Sequence, residues 1–225
     1  MLVRVLGPDR TAPVDRAELE RLRAGSTRTV VDLGTGDGRA VHHLAGEHPD
    51  WWCVGLDALD AAMAETAARS ARKPARGGRP NACFLRASVE AIPAELHGIA
   101  DEVSVTLPWG HLLEGIVVPD PSVLGGIAAL GGPGAEIGIV LNGEIWAGSL
   151  PSRFRELPAP TAEHVSEVVV PAFATVGVDI AEVRWLTATE AHGLTTTWAR
   201  RLAHGRPHPR FLSLRGRIPG DGPRS

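Results

Sequence analysis

The sequence predicts an α/β fold: a seven-stranded, mostly parallel sheet with helices on both faces, a terminal antiparallel hairpin and a short N-terminal hairpin. Three observations carry that expectation. Five apolar runs alternate with helix-compatible segments between residues 29 and 141, the order produced by parallel strands joined through crossover helices. Two further apolar runs, 179–186 and 211–218, follow after the alternation has stopped and suit an antiparallel pair. The first strand-to-helix connection, Val30-Val31-Asp32-Leu33-Gly34-Thr35-Gly36-Asp37-Gly38, combines a buried strand, a tight glycine turn and a helix start, and Val54-Gly55-Leu56-Asp57 closes the next strand with an acid.

Each element has a local reason. Residues 3–14, interrupted by Gly7-Pro8-Asp9, form a hairpin, and Asp15 caps a helix running to Arg23. Strand 29–33 leads into helix 37–46, and strand 51–56 into helix 59–72. A breaker-rich basic loop, Lys73-Pro74-Ala75-Arg76-Gly77-Gly78-Arg79-Pro80, precedes strand 82–86. A short turn over 89–96, strand 102–107, a Gly/Pro-broken helical region over 112–130 and strand 135–141 complete the alternation. Residues 150–160 hold three prolines and read as a linker or lid. Thr161 and Glu163 open a helix to Gly177 that Val168-Val169-Val170-Pro171 interrupts. The expected organisation is one domain over 1–218, with an N-terminal hairpin extension at 2–14, functional insertions at 143–160 and 187–209, and a disordered tail at 219–225.

Composition bounds the function. With 44% hydrophobic and 22% charged residues among 225, the chain is ordinary for a globular domain. No apolar run reaches the ~18 residues of a membrane helix, and the first residues break too early for a signal peptide, so a cytoplasmic protein without membrane attachment is expected. Cys53 and Cys83 each lie in a core strand and read as buried thiols; no histidine or cysteine spacing suggests a metal site. The net charge of −3 conceals a segregation. Six cations and no acid lie between Arg69 and Arg86, and seven arginines against Asp221 alone lie from Thr196 onward. An acidic body with two basic segments suits a polyanionic partner, the plainer alternative being two unrelated solvated faces.

The glycine turn specifies a ligand of a particular charge. Gly34, Gly36 and Gly38 remove side chains where backbone bends sharply and approaches a ligand. The dinucleotide fingerprint wants G-x-G-x-x-G, yet here the third glycine comes one position early, and Asp32 and Asp37 flank the turn. Those acids would repel a pyrophosphate and attract a cation. The stretch resembles the first two motifs of class I S-adenosylmethionine-dependent methyltransferases. That resemblance implies that Asp32 and the 34–38 turn hold the methionine part, and that Asp57, 19 residues beyond Gly38, binds the ribose hydroxyls.

The fourth strand ends in Thr106-Leu107-Pro108-Trp109-Gly110-His111-Leu112-Leu113, where such enzymes choose their methyl acceptor. Together with Asp32 to Gly38, Asp57-Ala58, the 73–81 loop and Thr196-Thr197-Trp198-Ala199-Arg200-Arg201-Leu202, it resembles the aminoglycoside-resistance 16S ribosomal RNA (adenine-N1) methyltransferases of the kanamycin-apramycin type. The resemblance implies S-adenosylmethionine as cofactor, and a flipped adenosine 1408 of the 30S decoding site held between Trp109 and Trp198. It implies Pro108 and Thr197 beside the target, Ala87 and Glu90 around the cofactor adenine, and Leu107 and Leu112 as further cofactor contacts. Arg69, Arg72, Lys73, Arg76 and Arg79 would grip rRNA phosphates, with Arg200 and Arg201 on the flipped nucleotide. The enzyme would act as a monomer on 16S rRNA within the 30S subunit. Plainer alternatives remain: Trp109 as an aromatic packed at a helix start, and Trp198 as an anchor of its insertion. Trp51, Trp52, Trp146 and Trp185 read as core or edge residues. Alternative functions are tRNA guanine-N7 methylation, a small-molecule methyltransferase, which would not need the segregated arginines, an NAD-dependent oxidoreductase, or a ribosome-binding protein without methyl transfer.

Overall fold

In the computed structural model, which describes residues 2–143, 154–194 and 210–220, nine strands form one mixed sheet in the order β2-β1-β5-β4-β3-β6-β7-β9-β8. The expected count of seven is therefore corrected to nine. The N-terminal hairpin, β1 (Val3–Gly7) and β2 (Arg10–Pro13), is not a separate appendage: β1 pairs antiparallel with β5 (Ala82–Arg86), Val3 opposite Arg86, and extends the sheet. Nothing local to residues 3–13 indicates which edge they join, because that choice is made by a strand distant in sequence, with Val3 opposite Arg86 and Arg4 opposite Leu85.

The central strands are β3 (Arg28–Leu33), β4 (Trp51–Asp57), β5, β6 (Ala100–Thr106) and β7 (Gly131–Asn142), all parallel. Strand β9 (Phe211–Arg217) lies antiparallel to β7 and to β8 (Asp179–Trp185). Burial on both faces explains the near-continuous apolar reading of the central strands. Leu33, Val54, Leu85, Val103 and Ile139 belong to one core, while Cys53, Phe84, Val41 and Met63 belong to a second. Cys53 and Cys83 are both buried free thiols, and burial pushes Cys53 up to about 12 and Cys83 to about 11.

Helices fill both layers. α1 (Arg16–Arg23) starts where Asp15 accepts the Glu18 N–H at 2.8 Å, as the sequence predicts. α2 (Arg39–Glu47) and α3 (Asp60–Ser70) follow β3 and β4. The Gly/Pro-broken region resolves into α4 (Gly110–Val117) and α5 (Pro121–Leu130), with Asp120 capping the second. The run after Thr161 remains helical through Pro171: α6 (Ala162–His164) passes into a π turn at Val165–Val169 and then α7 (Val170–Thr175). Widening the turn accommodates a residue that has no N–H to return. One helix lies outside the elements expected from the sequence. α8 (Ala188–Gly193) opens the 187–209 insertion, and its signal was in the sequence: Thr187 and Glu190 form a reciprocal capping box. No single helix among the described residues is long and apolar enough to cross a membrane.

The basic loop after α3 lies at the amino-terminal edge of the parallel strands. Asn81, at its end, donates to the carbonyls of Ala45, His48 and Trp51, where α2 turns into β4. The carboxyl-terminal edge lies a full strand length away, roughly 20 Å for six or seven residues at ~3.3 Å each.

Candidate active site

A cavity of about 740 Å³ opens at the carboxyl-terminal edge, under the loops that follow β3, β4, β5 and β6. Asp32, Gly34, Gly36, Asp37, Asp57, Ala87, Glu90, Leu107, Trp109 and Leu112 all line it. These residues span 80 positions of sequence and come together because each follows the end of a parallel strand. Leu59, Ser88, Thr106 and His111 also line the cavity, each within two residues of a site residue that the sequence predicts.

The glycine turn is closed by backbone bonds from Gly34 and Thr35 N–H to Leu56 O, at 2.8 and 3.1 Å. Its three glycines do different work, although all have positive φ. A Cβ at Gly36 would meet nothing within 4 Å, whereas one at Gly34 would lie 2.8 Å from Leu112 Cδ2. Gly38 does not line the cavity: a Cβ there would fall 2.5 Å from Phe84 Cε1, so this glycine lets α2 pack on β5. Left-handed backbone costs an L residue about 1–2 kcal/mol, and overpacking typically adds ~1–3 kcal/mol. Gly38→Ala is therefore expected to lower Tm by on the order of 10 °C, whereas Gly36→Ala should cost less stability and more cofactor affinity. Equal melting losses in both variants, measured by calorimetry, would refute that division.

Electrostatics favour a cation. Asp32, Asp37, Asp57 and Glu90 line the cavity, with no lysine or arginine among the described lining residues. Asp32 is 9% exposed, and its carboxyl is pushed up to about 6, chiefly by burial and in smaller part by Asp57 and Asp37, against the opposing hydroxyls of Thr35 and Ser104. Ser104, its register partner on β6, donates to Asp32 Oδ1 at 3.0 Å. Asp57 ties the glycine turn to β4: Oδ2 accepts Gly36 N–H at 2.9 Å and Oδ1 accepts Leu59 N–H at 3.0 Å. A carboxylate has about four acceptor sites, so both oxygens retain capacity for hydroxyl donors. Glu90 accepts the Ser88 hydroxyl at the other side of the cavity.

The β6 end is bent out of the sheet. Leu107 adopts φ +52°, a left-handed conformation costly for leucine. Its N–H bonds Val140 O at 2.8 Å, and its side chain packs with Val140, Ala191 and Phe211. That turn brings Trp109 to the N-cap of α4, where it lines the cavity with 48% of its surface exposed. Trp52 is a core residue, and Trp185 lies at the sheet edge under the Arg210 guanidinium, 4.6 Å from its ring centroid. Trp198, Thr197, Arg200, Arg201 and Trp146 lie outside the described residues.

The basic segment divides. Arg72, Lys73 and Arg76 are exposed. Arg79 is half-buried against Gly46 of α2 and donates to Gly78 O at 3.1 Å, and Arg86 pairs with Asp60 at 2.8 Å. Arg69 and Arg79 both act on the charge of His42 of α2: burial holds it down at about 4, and both guanidiniums add to that shift. In the second basic segment, Arg217 pairs in register with Glu136 at the edge opposite the cavity.

Comparisons with known proteins agree with this geometry. A family model, NpmA, described as 16S rRNA (adenine(1408)-N(1))-methyltransferase, matches residues 4–217. A protein of that description from Streptoalloteichus tenebrarius is 39% identical over 215 residues, covering 96% of this chain and 98% of its own length. One from Escherichia coli is 30% identical, covering 95% and 98%. Among solved structures, a point mutant of the Catenulisporales acidiphilia 16S rRNA (adenine(1408)-N(1))-methyltransferase with cosubstrate SAM gives a TM-score of 0.89 at 38% identity, covering 100% of this chain and 99% of that one. The 16S rRNA methyltransferase KamB gives 0.86 at 38% identity, covering 96% and 99%. On this agreement of fold, site and sequence, the chain belongs to the 16S rRNA (adenine(1408)-N(1))-methyltransferase family.

Proposed function

We propose that this protein methylates N1 of adenosine 1408 in 16S rRNA within the assembled 30S subunit, acting as a cytoplasmic monomer and conferring resistance to kanamycin and apramycin. The observation that carries the reading is a half-exposed tryptophan, Trp109, at the lip of a cavity lined by four carboxylates. Family membership favours it over tRNA guanine-N7 methylation.

S-adenosylmethionine supplies an electrophilic methyl on a cationic sulfonium, and the cavity suits both its charge and its size. Asp32 and the open backbone at Gly36 receive the methionine part, Asp57 the ribose hydroxyls, and Ala87 and Glu90 bracket the adenine. Leu107 and Leu112 floor the site. Trp109, with Trp198 from the insertion, stacks the flipped target base, while Pro108 and Thr197 border it. Adenine N1 carries a lone pair and no proton. Its lone pair forms the new N–CH3 bond as the C–S bond breaks, and the electron pair of that bond stays on sulfur. No general base is needed, and the site accelerates transfer by alignment. The positive charge formed on the base is stabilised by indole faces.

One domain carries both the transfer and the RNA contacts, with 143–160 and 187–209 as its working insertions. The exposed Arg72, Lys73 and Arg76 lie at the sheet edge opposite the cavity, roughly 20 Å from it. A substrate that reaches both must extend well beyond one flipped nucleotide. Arg69 and Arg79, directed toward α2, would serve the RNA by supporting this loop. Replacing Arg72, Lys73 and Arg76 together by alanine is expected to reduce the log–log salt slope of 30S binding by about 2–3, with S-adenosylmethionine affinity unchanged. An unaltered slope would remove the loop from the interface.

The deciding experiment incubates the protein with S-adenosylmethionine and purified 30S subunits and maps reverse-transcriptase stops. A methylated N1 cannot pair, so a new stop beside adenosine 1408 is expected, absent when the cofactor is omitted. Methyl transfer to tRNA alone, or to no RNA, would overturn the reading.

A further inference from the structure

Trp109 can align a base only if its indole plane is fixed, yet it has few obvious supports. It sits in extended backbone at the N-cap of α4, makes no side-chain capping bond, and is followed by Gly110 with φ +62°. Such a half-exposed ring on a turn has freedom at both χ angles unless something packs on it. One ring does. Phe154 approaches with centroids 4.7 Å apart and planes at 60°, an edge contact within the range aromatic pairs prefer.

Phe154 itself is fully buried in the larger core, which also contains Leu113 and Ile116 of α4 and Val165, Val169 and Phe173 of the helices that follow. Its ring is thus enclosed in the core while the tryptophan it touches is half-exposed. It is absent from the cavity lining, whereas Trp109, which it touches, is part of it. Being 45 positions distant in sequence, it could not be linked to Trp109 by any local pattern.

We propose that Phe154 is a positioning residue for methyl transfer, whose edge contact sets the orientation of the Trp109 indole and so the alignment of the target base with the methyl group. The inference rests on the role given to Trp109 above. An edge-to-face contact fixes one ring relative to another while leaving the second face open, which is what a stacking platform requires. Phe154 does not contact the base, and its loss should leave cofactor binding untouched.

The test compares Phe154→Leu, Phe154→Met and Phe154→Tyr with Trp109→Ala and the Trp109→Ala/Phe154→Leu double variant, using single-turnover methylation of purified 30S subunits. Calorimetry supplies S-adenosylmethionine affinity and Tm for each. Expected for Phe154→Leu and Phe154→Met is a roughly tenfold slower turnover with cofactor Kd within twofold of the parent. Phe154→Tyr, which keeps the ring, should recover most of the rate even if its Tm falls as far as that of the leucine variant. In the Trp109→Ala background the leucine substitution should slow transfer no further. Parental turnover in both non-aromatic variants overturns the positioning role, as does a loss that follows Tm across all three variants or persists undiminished without Trp109. Parental turnover in Trp109→Ala itself overturns the stacking role instead, so the two failures are distinguishable.

Discussion

Trp109→Ala is expected to slow methyl transfer to the 30S subunit by about 100-fold while leaving S-adenosylmethionine affinity within a few-fold of the parent. Stacking of a base on an aromatic face is worth ~1–3 kcal/mol, or roughly 5- to 150-fold, and flipping a base from its helix costs a few kcal/mol that this stacking offsets. Both losses fall on the aligned state, because a base that is not held outside its helix is not near the methyl group. Trp109→Phe, which keeps a smaller face, should lie between the two. The cofactor should be insensitive, since the acids that favour its charge lie on β3 and β4, in the turn after β3 and in the loop after β5, and none is on the β6–α4 turn that carries the indole. Single-turnover rates and titration calorimetry separate the two quantities. A rate at the parental level, or a matching collapse of cofactor affinity, would remove Trp109 from the role of base platform.

Much of this site was legible because its residues follow strand ends. Asp32, the 34–38 glycines and Asp57 could be placed from a strand-turn-helix pattern and an acid at the end of the next strand, since parallel β/α architecture converts sequence order into one cavity edge. Trp109 followed from the same rule. What could not be read depended on partners distant in sequence. Gly38 reads as a ligand contact, but its missing Cβ is required by Phe84 on a strand two positions away in the sheet. The hairpin at residues 3–13 reads as an appendage, although pairing with β5 makes it the sheet's edge. The basic run from Arg69 to Arg86 reads as one exposed face, yet Arg86 is spent on Asp60 and Arg79 on α2. Charge along a sequence records composition and not direction. By contrast α8 was missed despite a local signal, the Thr187/Glu190 capping box, which was available without any tertiary information.

Asp32→Asn is expected to show that cofactor binding and stability of the free protein oppose each other at one carboxylate. Burial pushes this group up to about 6 from an ordinary value of 3.8. A raised carboxyl binds more protons in the folded state than in the unfolded state between those two values, so stability falls as pH rises through that window. The penalty is fully present above about pH 6 and amounts to about 3 kcal/mol. A neutral amide removes it. The variant should therefore melt higher than the parent at pH 7.5 without cofactor, and its Tm should lose the parent's decline between pH 4 and 6.5. Cofactor affinity should move the other way. Truncating one partner of a buried charge pair typically costs 2–5 kcal/mol, so S-adenosylmethionine binding should weaken by roughly 30-fold or more. Only the ionised carboxylate attracts the cation, so in the parent protein affinity should fall by up to tenfold per unit as pH drops below about 6, and level off above 7. In the asparagine variant that slope should vanish. Calorimetric titrations between pH 5 and 8 test both slopes. A parental Kd in the variant, or a parental affinity that does not change between pH 5 and 7, would mean that Asp32 does not hold the methyl donor.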